Sequence, residues 1–475
     1  MNTIASLGVI ASHFVRARWR WRNLRGTSLE LYQDYRAQQT VAYVNEHAPF
    51  YRAHWAGHDL RDWRALPTVD KRLMMEHFDT FNTRGINREA AMEVALRAEQ
   101  SRDFRPTLNG FTIGLSSGTS GHRGLFVASD WEQAGWAGTL LSRALHRWPG
   151  RLRVAFFLRS NSNLYEQLGG LVIQFRYFDL MTPLDEAIAA LNDFQPQIIV
   201  GPPSLLGFLA EARAQGKLKA APERLISVAE VLEPQDQERI ASIFAVPVHQ
   251  IYQCTEGFLA MSCVEGALHI QEDIVALQFE PLSDASVSTP GTADSAPPAS
   301  VSLESSASES PSAEGQSTNI PTERVTPIIT DLWRKTQPII RYRLNDVLQL
   351  DPQPCRCGSS FRVIRAIEGR ADDLCYFDTQ MGGERPFYPD SIRRMVLLAS
   401  QAIADYQVFQ EGRGHLRIHL VVTSGAAFDT VADEVRASVA ATLAQYDCRP
   451  ATVQIESGLV PVPPGAKRRR VRRLS

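Results

Sequence analysis

Strand-like and helix-like segments alternate between residues 153 and 244, and no other feature of the chain limits its fold as strongly. "RVAFFL" (153–158) and "QIIVG" (197–201) are short apolar runs of the buried-strand type. "LDEAIAALNDF" (184–194), "PSLLGFLAEARAQG" (203–216) and "EPQDQERIASIF" (233–244) have helical spacing, and Gly216 is placed to stop the second. "RLISVAE" (224–230) is a further strand. This alternation predicts an α/β domain whose sheet is covered by helices, because each element must bury its apolar face against another layer. After Glu368 the pattern changes. "SIRRMVLLASQAI" is helical, "LRIHLVV" a strand, "TVADEVRASVAATLAQY" a helix and "ATVQIES" a strand. They predict a compact α+β unit of roughly 105 residues, an ordinary domain size. The expected division is therefore 1–368 and 369–475.

From Ser283 to Ile320 the chain consists largely of Ser, Ala, Pro, Thr and Glu, with no Lys, Arg or aromatic residue. Such a stretch cannot bury enough apolar surface to offset its ordering entropy, so it reads as a disordered insertion. It lies between two strand-like runs, Ile274 to Phe279 and Val325 to Ile329. Closure entropy grows slowly with loop length, so the insertion is expected to interrupt one domain and not to separate two.

Hydrophobic residues make up 44% of the 475, enough for a sizeable core. A net charge of −2 points neither to nucleic acid nor to a membrane. Six cysteines are too few for a disulfide framework, and a reduced, cytoplasmic setting fits them. The N-terminus, MNTIASLGVIASHFVRARWRWR, places its arginines after the apolar stretch, the reverse of a secretory signal. It reads as the start of a surface helix with a basic flank. No segment offers the roughly 18 unbroken apolar residues needed to span a bilayer.

"SSGTSG" (116–121) supplies two glycines and four hydroxyls. Backbone N–H groups in such a loop form a concavity for anions. It does not fit the Walker pattern, and by itself it equally describes a flexible turn. His122 and Arg123 follow it, and Arg123 can offer a positive fork.

The loop is followed in order by "IYQCTEG" (251–257), "IIRYRLNDV" (339–347), "EGRADD" (368–373) and a late lysine in "PPGAKRRRV". This series resembles the adenylate-forming superfamily of acyl- and aryl-CoA synthetases. Within it the chain is most similar to the phenylacetate–CoA ligases and the related deazaflavin-cofactor (coenzyme F390) adenylylating synthetases. "NEHAPFYRAHW" (45–55) and "LPTVDKRLMMEHF" (66–78) also look like that branch. The resemblance covers nearly the whole chain except the insertion. It implies a large N-terminal α/β domain with a small, mobile C-terminal α+β domain.

The resemblance also implies roles. Ser116, Ser117, Gly118, Thr119, Ser120 and Gly121 would hold the β- and γ-phosphates of ATP, with Thr119 catalytic. Glu230, in "SVAE" (227–230), would lie near the adenine, and Tyr252 would stack on it. Thr255 would reach the α-phosphate and Glu256 would hold Mg²⁺. Asp346 would accept from both ribose hydroxyls, which needs a two-oxygen acceptor. Arg370 would contact the nucleotide, and Asp372 would be the hinge of the small domain. Lys467 matches the catalytic lysine of a Gly-Lys-x-x-Arg-Val-like ending, although Ala466 separates it from Gly465. Read without the resemblance, "KRRRVRR" is a solvated terminus. The chain departs from the branch at Gln253, where a glycine is usual, and at His122-Arg123, where a Pro-Lys pair is usual.

Cys263 and His269 flank a turn, and Cys355 and Cys357 sit in "CRCG". Three thiolates and one imidazole make a tetrahedral structural zinc site. Many members of the branch have a similar Cys-x5-His with a later Cys-x-Cys-Gly. Cys254, Cys375 and Cys448 read as ordinary thiols.

The expected activity is AMP-forming activation of a carboxylic acid, aryl or fatty, followed by transfer to the thiol of CoA or a carrier protein. Phe156, Phe157, Tyr165 and Arg159 are expected at the acid pocket. Two alternatives stay open: transfer of AMP to a cofactor hydroxyl, and a non-catalytic nucleotide-binding scaffold.

Overall fold

The computed structural model describes residues 3–101, 106–115, 124–145, 152–158, 173–180, 182–282, 324–370, 373–387, 389–461 and 469–474. The expectations for 116–123, 159–172, 283–320, Asp372 and Lys467 lie outside the described residues.

A twelve-stranded sheet runs through the larger part of the molecule. One half is parallel, in the order Ile173–Asp179, Leu152–Leu158, Ile198–Gly201, Arg224–Ser227 and Val248–Cys254. Helices Leu184–Phe194, Pro203–Ala214 and Pro234–Phe244 connect these strands, as the alternation predicts. At Cys254 the sheet changes character. Gly257–Ser262 turns back antiparallel to Val248–Cys254 and opens an antiparallel half that ends at Arg324–Asp331 and Val275–Pro281. Those last two strands pair with each other from Val275↔Asp331 to Pro281↔Val325, so the segment between them joins neighbouring strands of one sheet.

A second, four-stranded sheet is built from Thr452–Ser457, His415–Val422, Ile403–Gly412 and Val471–Arg473. Helices Pro389–Leu397 and Phe428–Gln445 pack on it, and a core from Cys375 to Val471 closes it. Two elements differ from the sequence reading. The helix expected over 391–403 ends at Leu397, and Ile403 already belongs to the strand Ile403–Gly412. The basic tail, read as solvated, contributes the strand Val471–Arg473, parallel to Ile403–Gly412. Only Val471 of that strand is buried, so its charges hide it from any apolar pattern.

Phe156 and Phe157 do not reach the cleft. Successive strand residues point to opposite faces, so each fills a different core. Phe157 stacks on Phe178 at 4.5 Å.

Candidate active site

The strands Phe111–Leu115 and Leu125–Ala128 pair up to Leu115↔Leu125, so the Ser/Gly segment leaves one strand and returns on its neighbour. The other site residues converge where the large sheet changes from parallel to antiparallel. Thr255 and Glu256 form the turn between Val248–Cys254 and Gly257–Ser262. Both oxygens of Glu256 are held: Thr255 Oγ1 donates to Oε2 at 2.9 Å and Tyr342 Oη donates to Oε1 at 3.1 Å. Burial, with the Glu256 carboxylate beside it, pushes the Tyr342 phenol far up, so it remains a donor. Arg334 Nη1 donates to the Thr255 carbonyl at 2.7 Å and anchors the turn from a third segment. The carboxylate is thereby fixed in one orientation and keeps lone pairs for a cation.

Asp346 begins the strand Asp346–Asp351, opposite Arg370 in the ladder. It accepts a hydrogen bond from the Tyr252 hydroxyl. Burial and the nearby Asp346 raise the Tyr252 phenol well above its usual range, which keeps the proton on the donor. Glu230 is half-buried across the cleft and accepts from the Ser204 N–H at 3.4 Å. The residue before it, Ala229, has φ 73°, a backbone turn that a strand pattern does not announce.

Glu230, Tyr252 and Asp346 line a cleft of about 1690 Å³, larger than the roughly 300–1,000 Å³ of an ordinary small-molecule pocket. Its opposite wall comes from the smaller sheet and the helix Pro389–Leu397 packed on it, and includes Arg393, Asp405 and Arg470. Two arginines cross between the walls. Arg393 Nη1 meets Glu233 Oε2 at 2.6 Å, and Arg470 Nη1 meets Asp236 Oδ2 at 2.7 Å. Arg470 Nε also meets Asp405 at 3.1 Å. Burial alone would lower the guanidinium, but Asp236 and Asp405 outweigh it and hold the charge. Arg469 is paired with Asp373 at 2.9 Å. Of the basic tail, then, both described arginines near Lys467 are engaged by carboxylates.

The ends of the segment containing Lys467 are fixed by adjacent residues of one strand. The Gln407 side chain accepts from Val460 N–H at 2.8 Å, and Val408 N–H donates to the Arg470 carbonyl at 2.6 Å.

The cysteine–histidine cluster lies beside the antiparallel half. One donor atom from each of Cys263, His269, Cys355 and Cys357 lies within 4.8 Å of the others. Cys263 Sγ is 3.7 Å from Cys355 Sγ, and Cys357 Sγ is 3.3 Å from His269 Nε2. Tetrahedral zinc with Zn–S of about 2.3 Å and Zn–N of about 2.0–2.1 Å separates sulfurs by about 3.8 Å and sulfur from nitrogen by about 3.6 Å. His269 Nδ1 donates to the Phe361 carbonyl at 2.8 Å, which turns Nε2 with its lone pair toward the thiols. Burial lowers the imidazole and keeps it neutral. The donor set therefore fits zinc in both chemistry and spacing. Cys375 and Cys448 are buried elsewhere, and Cys254 is half-buried at the cleft.

Sequence reasoning missed Tyr342, Arg334, Arg393 and Arg470. Tyr342 stands inside "IIRYRLNDV", four residues before Asp346, but its partner is 86 positions away.

No family model matches this sequence, and neither does any curated protein. Solved structures do. A 2-hydroxyisobutyryl-CoA ligase in the postadenylation state with R3-HIB-AMP superposes with TM-score 0.65 at 20% identity, over 95% of this chain and 91% of that one. The same ligase with 2-HIB-AMP and CoA, in the thioesterification state, gives 0.53 at 19% identity over 96% and 91%. This chain thus shares the overall fold of that CoA ligase.

Proposed function

We propose that the protein is an AMP-forming acid–thiol ligase. The observation that carries this reading is the Tyr252–Asp346 pair in one cleft between two sheets, with the braced Thr255–Glu256 turn directly after the strand that ends there, in a molecule with a CoA-ligase fold. In the first half-reaction a carboxylate oxygen attacks the α-phosphorus of ATP. The bond to the bridging oxygen breaks and pyrophosphate leaves. Asp346 holds the ribose, Tyr252 and Glu230 border the adenine, and Thr255 donates to the α-phosphate. Mg²⁺, when held by Glu256, would neutralise charge on the phosphates. Ser116–Gly121 and Arg370 complete the nucleotide contacts, and Lys467 is the cation assigned to the transferring phosphate. Catalysis is then chiefly positioning and charge stabilisation.

In the second half-reaction a thiolate attacks the acyl carbonyl and AMP leaves. The ion pairs Arg393–Glu233 and Arg470–Asp236 would hold the adenylation arrangement and release it for this step, with residues 369–475 turning about Asp372. CoA is the thiol favoured by the solved ligases, and a carrier protein is the variant. Cys263, His269, Cys355 and Cys357 would hold a structural zinc ion. Six cysteines without a disulfide support a reducing, cytoplasmic setting.

The test is ATP–pyrophosphate exchange across a panel of aryl and fatty acids, followed by AMP release with and without CoA. Acid-dependent exchange with CoA-dependent AMP release is expected. Exchange without thiol dependence would make the protein an adenylyltransferase, and no ATP binding at all would leave only a scaffold.

A further inference from the structure

The first helix, Thr3–Asn23, is apolar on two opposite faces. Its inner face is fully committed. Ile10, His13, Ala17 and Arg20 are buried, and the helix packs on Asp130–Ala144 so closely that a Cβ at Gly138 would lie 2.3 Å from the Ile10 carbonyl oxygen. Arg20 pairs with Asp273 at 2.9 Å, and Asp273 is shared with Arg143 at 2.7 Å. Burial, followed by Arg20, lowers His13 to about 4, so the inner face adds no imidazole charge near neutral pH.

The outer face carries Leu7, Ala11, Val15 and Trp19, one helical turn apart in succession. Leu7, Val15 and Trp19 are 53%, 64% and 60% exposed. Arg16, Arg22 and Arg25 are exposed around the Trp19 end of this row. Residues 1–29 contain five arginines and no acid, in a chain of net charge −2, so the remainder carries −7. A helix apolar all round is normally covered on all sides, and an exposed apolar row with tryptophan and clustered arginine has the composition of an interfacial helix.

We propose that the outer face of Thr3–Asn23 docks on an anionic lipid surface, lying in the headgroup plane. Leu7, Val15 and Trp19 enter the acyl boundary, and Arg16, Arg22 and Arg25 meet the headgroup phosphates. Charge complementarity selects this occupant. A second copy meeting the same face in a twofold contact would set arginines against arginines. A nucleic acid would engage the arginines and leave Leu7 and Val15 in water. Docking in the plane needs no membrane-crossing helix, and none of the described helices is long and apolar enough for one. This surface is independent of the ligase reading.

Full-length protein would be sedimented with vesicles of phosphatidylcholine alone and of phosphatidylcholine mixed with phosphatidylglycerol. Binding to the anionic vesicles is expected, weakening at high salt. Each near-surface arginine is worth roughly fivefold, so Arg16→Ala/Arg22→Ala should lose more than tenfold. Val15→Asp should lose tenfold or more with an unchanged melting temperature. Brominated anionic lipid should quench wild-type fluorescence more than that of Trp19→Phe, which removes one indole and keeps the packing. The proposal is overturned if the wild type stays in solution with both vesicles, or if these variants bind as it does. It is also overturned if light scattering shows a dimer that Val15→Asp dissociates.

Discussion

The two walls of the cleft are held together by different physics. On the large-sheet side, Tyr252–Asp346 at the wall and Tyr342–Glu256, Thr255–Glu256 and Arg334–Thr255 beside it are hydrogen bonds among buried or half-buried groups at one sheet junction. Between the walls, the contacts that stand out are arginine–carboxylate pairs, Arg393–Glu233 and Arg470–Asp236, with side chains 15–23% exposed. The first kind of contact pre-organises a site and changes little with conditions. The second is directional and keeps some contact with solvent, so high salt should weaken it while leaving the two separately closed cores intact. The two-stage reaction proposed above would use both: a fixed nucleotide platform and an opposite wall that can leave.

The largest effect should come from the strut beside the fixed wall. Cys355→Ser/Cys357→Ser should abolish about one zinc per chain by elemental analysis and lower Tm by something on the order of 5–10 °C. A metal-free wild type with the same Tm would remove the strut from the account. Next, Asp346→Ala removes a charged acceptor worth roughly 1.5–3 kcal/mol, so calorimetry should show ATP binding weakened at least tenfold. Equal binding would mean that the platform is not where ATP sits.

Arg470→Gln should act on the opposite wall alone. We expect about a tenfold slower pyrophosphate exchange and a larger radius of gyration, with the thiol step changed less. In the wild type, raising ionic strength from 0.1 to 1 M shortens the screening length from about 10 Å to about 3 Å and should move the radius in the same direction. An unchanged radius in both experiments would erase the distinction between the walls. The smallest effect is expected from Tyr342→Phe. Losing one hydrogen bond of about 0.5–1.5 kcal/mol should raise the Mg²⁺ concentration for half-maximal exchange several-fold, with little change in ATP affinity. A fall in maximal rate with no shift in Mg²⁺ dependence would show that the phenol does not orient Glu256.

Much of the fold around the cleft could be read from the chain because its parts are local. "LDEAIAALNDF" is the helix Leu184–Phe194 because its apolar spacing alone decides the buried face. Cys263 and His269 are six positions apart and straddle a turn, so their pairing is local. What escaped is what depends on distant partners. Arg470 and Asp236 are 234 positions apart, and nothing in "KRRRVRR" distinguishes the arginine that will cross the cleft. The strand Val471–Arg473 escaped for a related reason. Its ladder uses backbone groups, which every sequence possesses, and one valine is its whole apolar signal.

Gln407 grips Val460 and its neighbour Val408 grips Arg470, so two described points on either side of Lys467 in the sequence are anchored to adjacent residues of one strand. A tether with one loose end spreads its cargo over a volume that grows with its length. One with both ends fastened confines it, and the entropy of that confinement is spent once, at folding, and not at every turnover. Lys467, the cation proposed for the transferring phosphate, lies in sequence between two anchors that both belong to the small sheet, so a movement of that sheet moves both anchors together. Removing Val471 onward would take away the ladder behind the second anchor and leave the first in place.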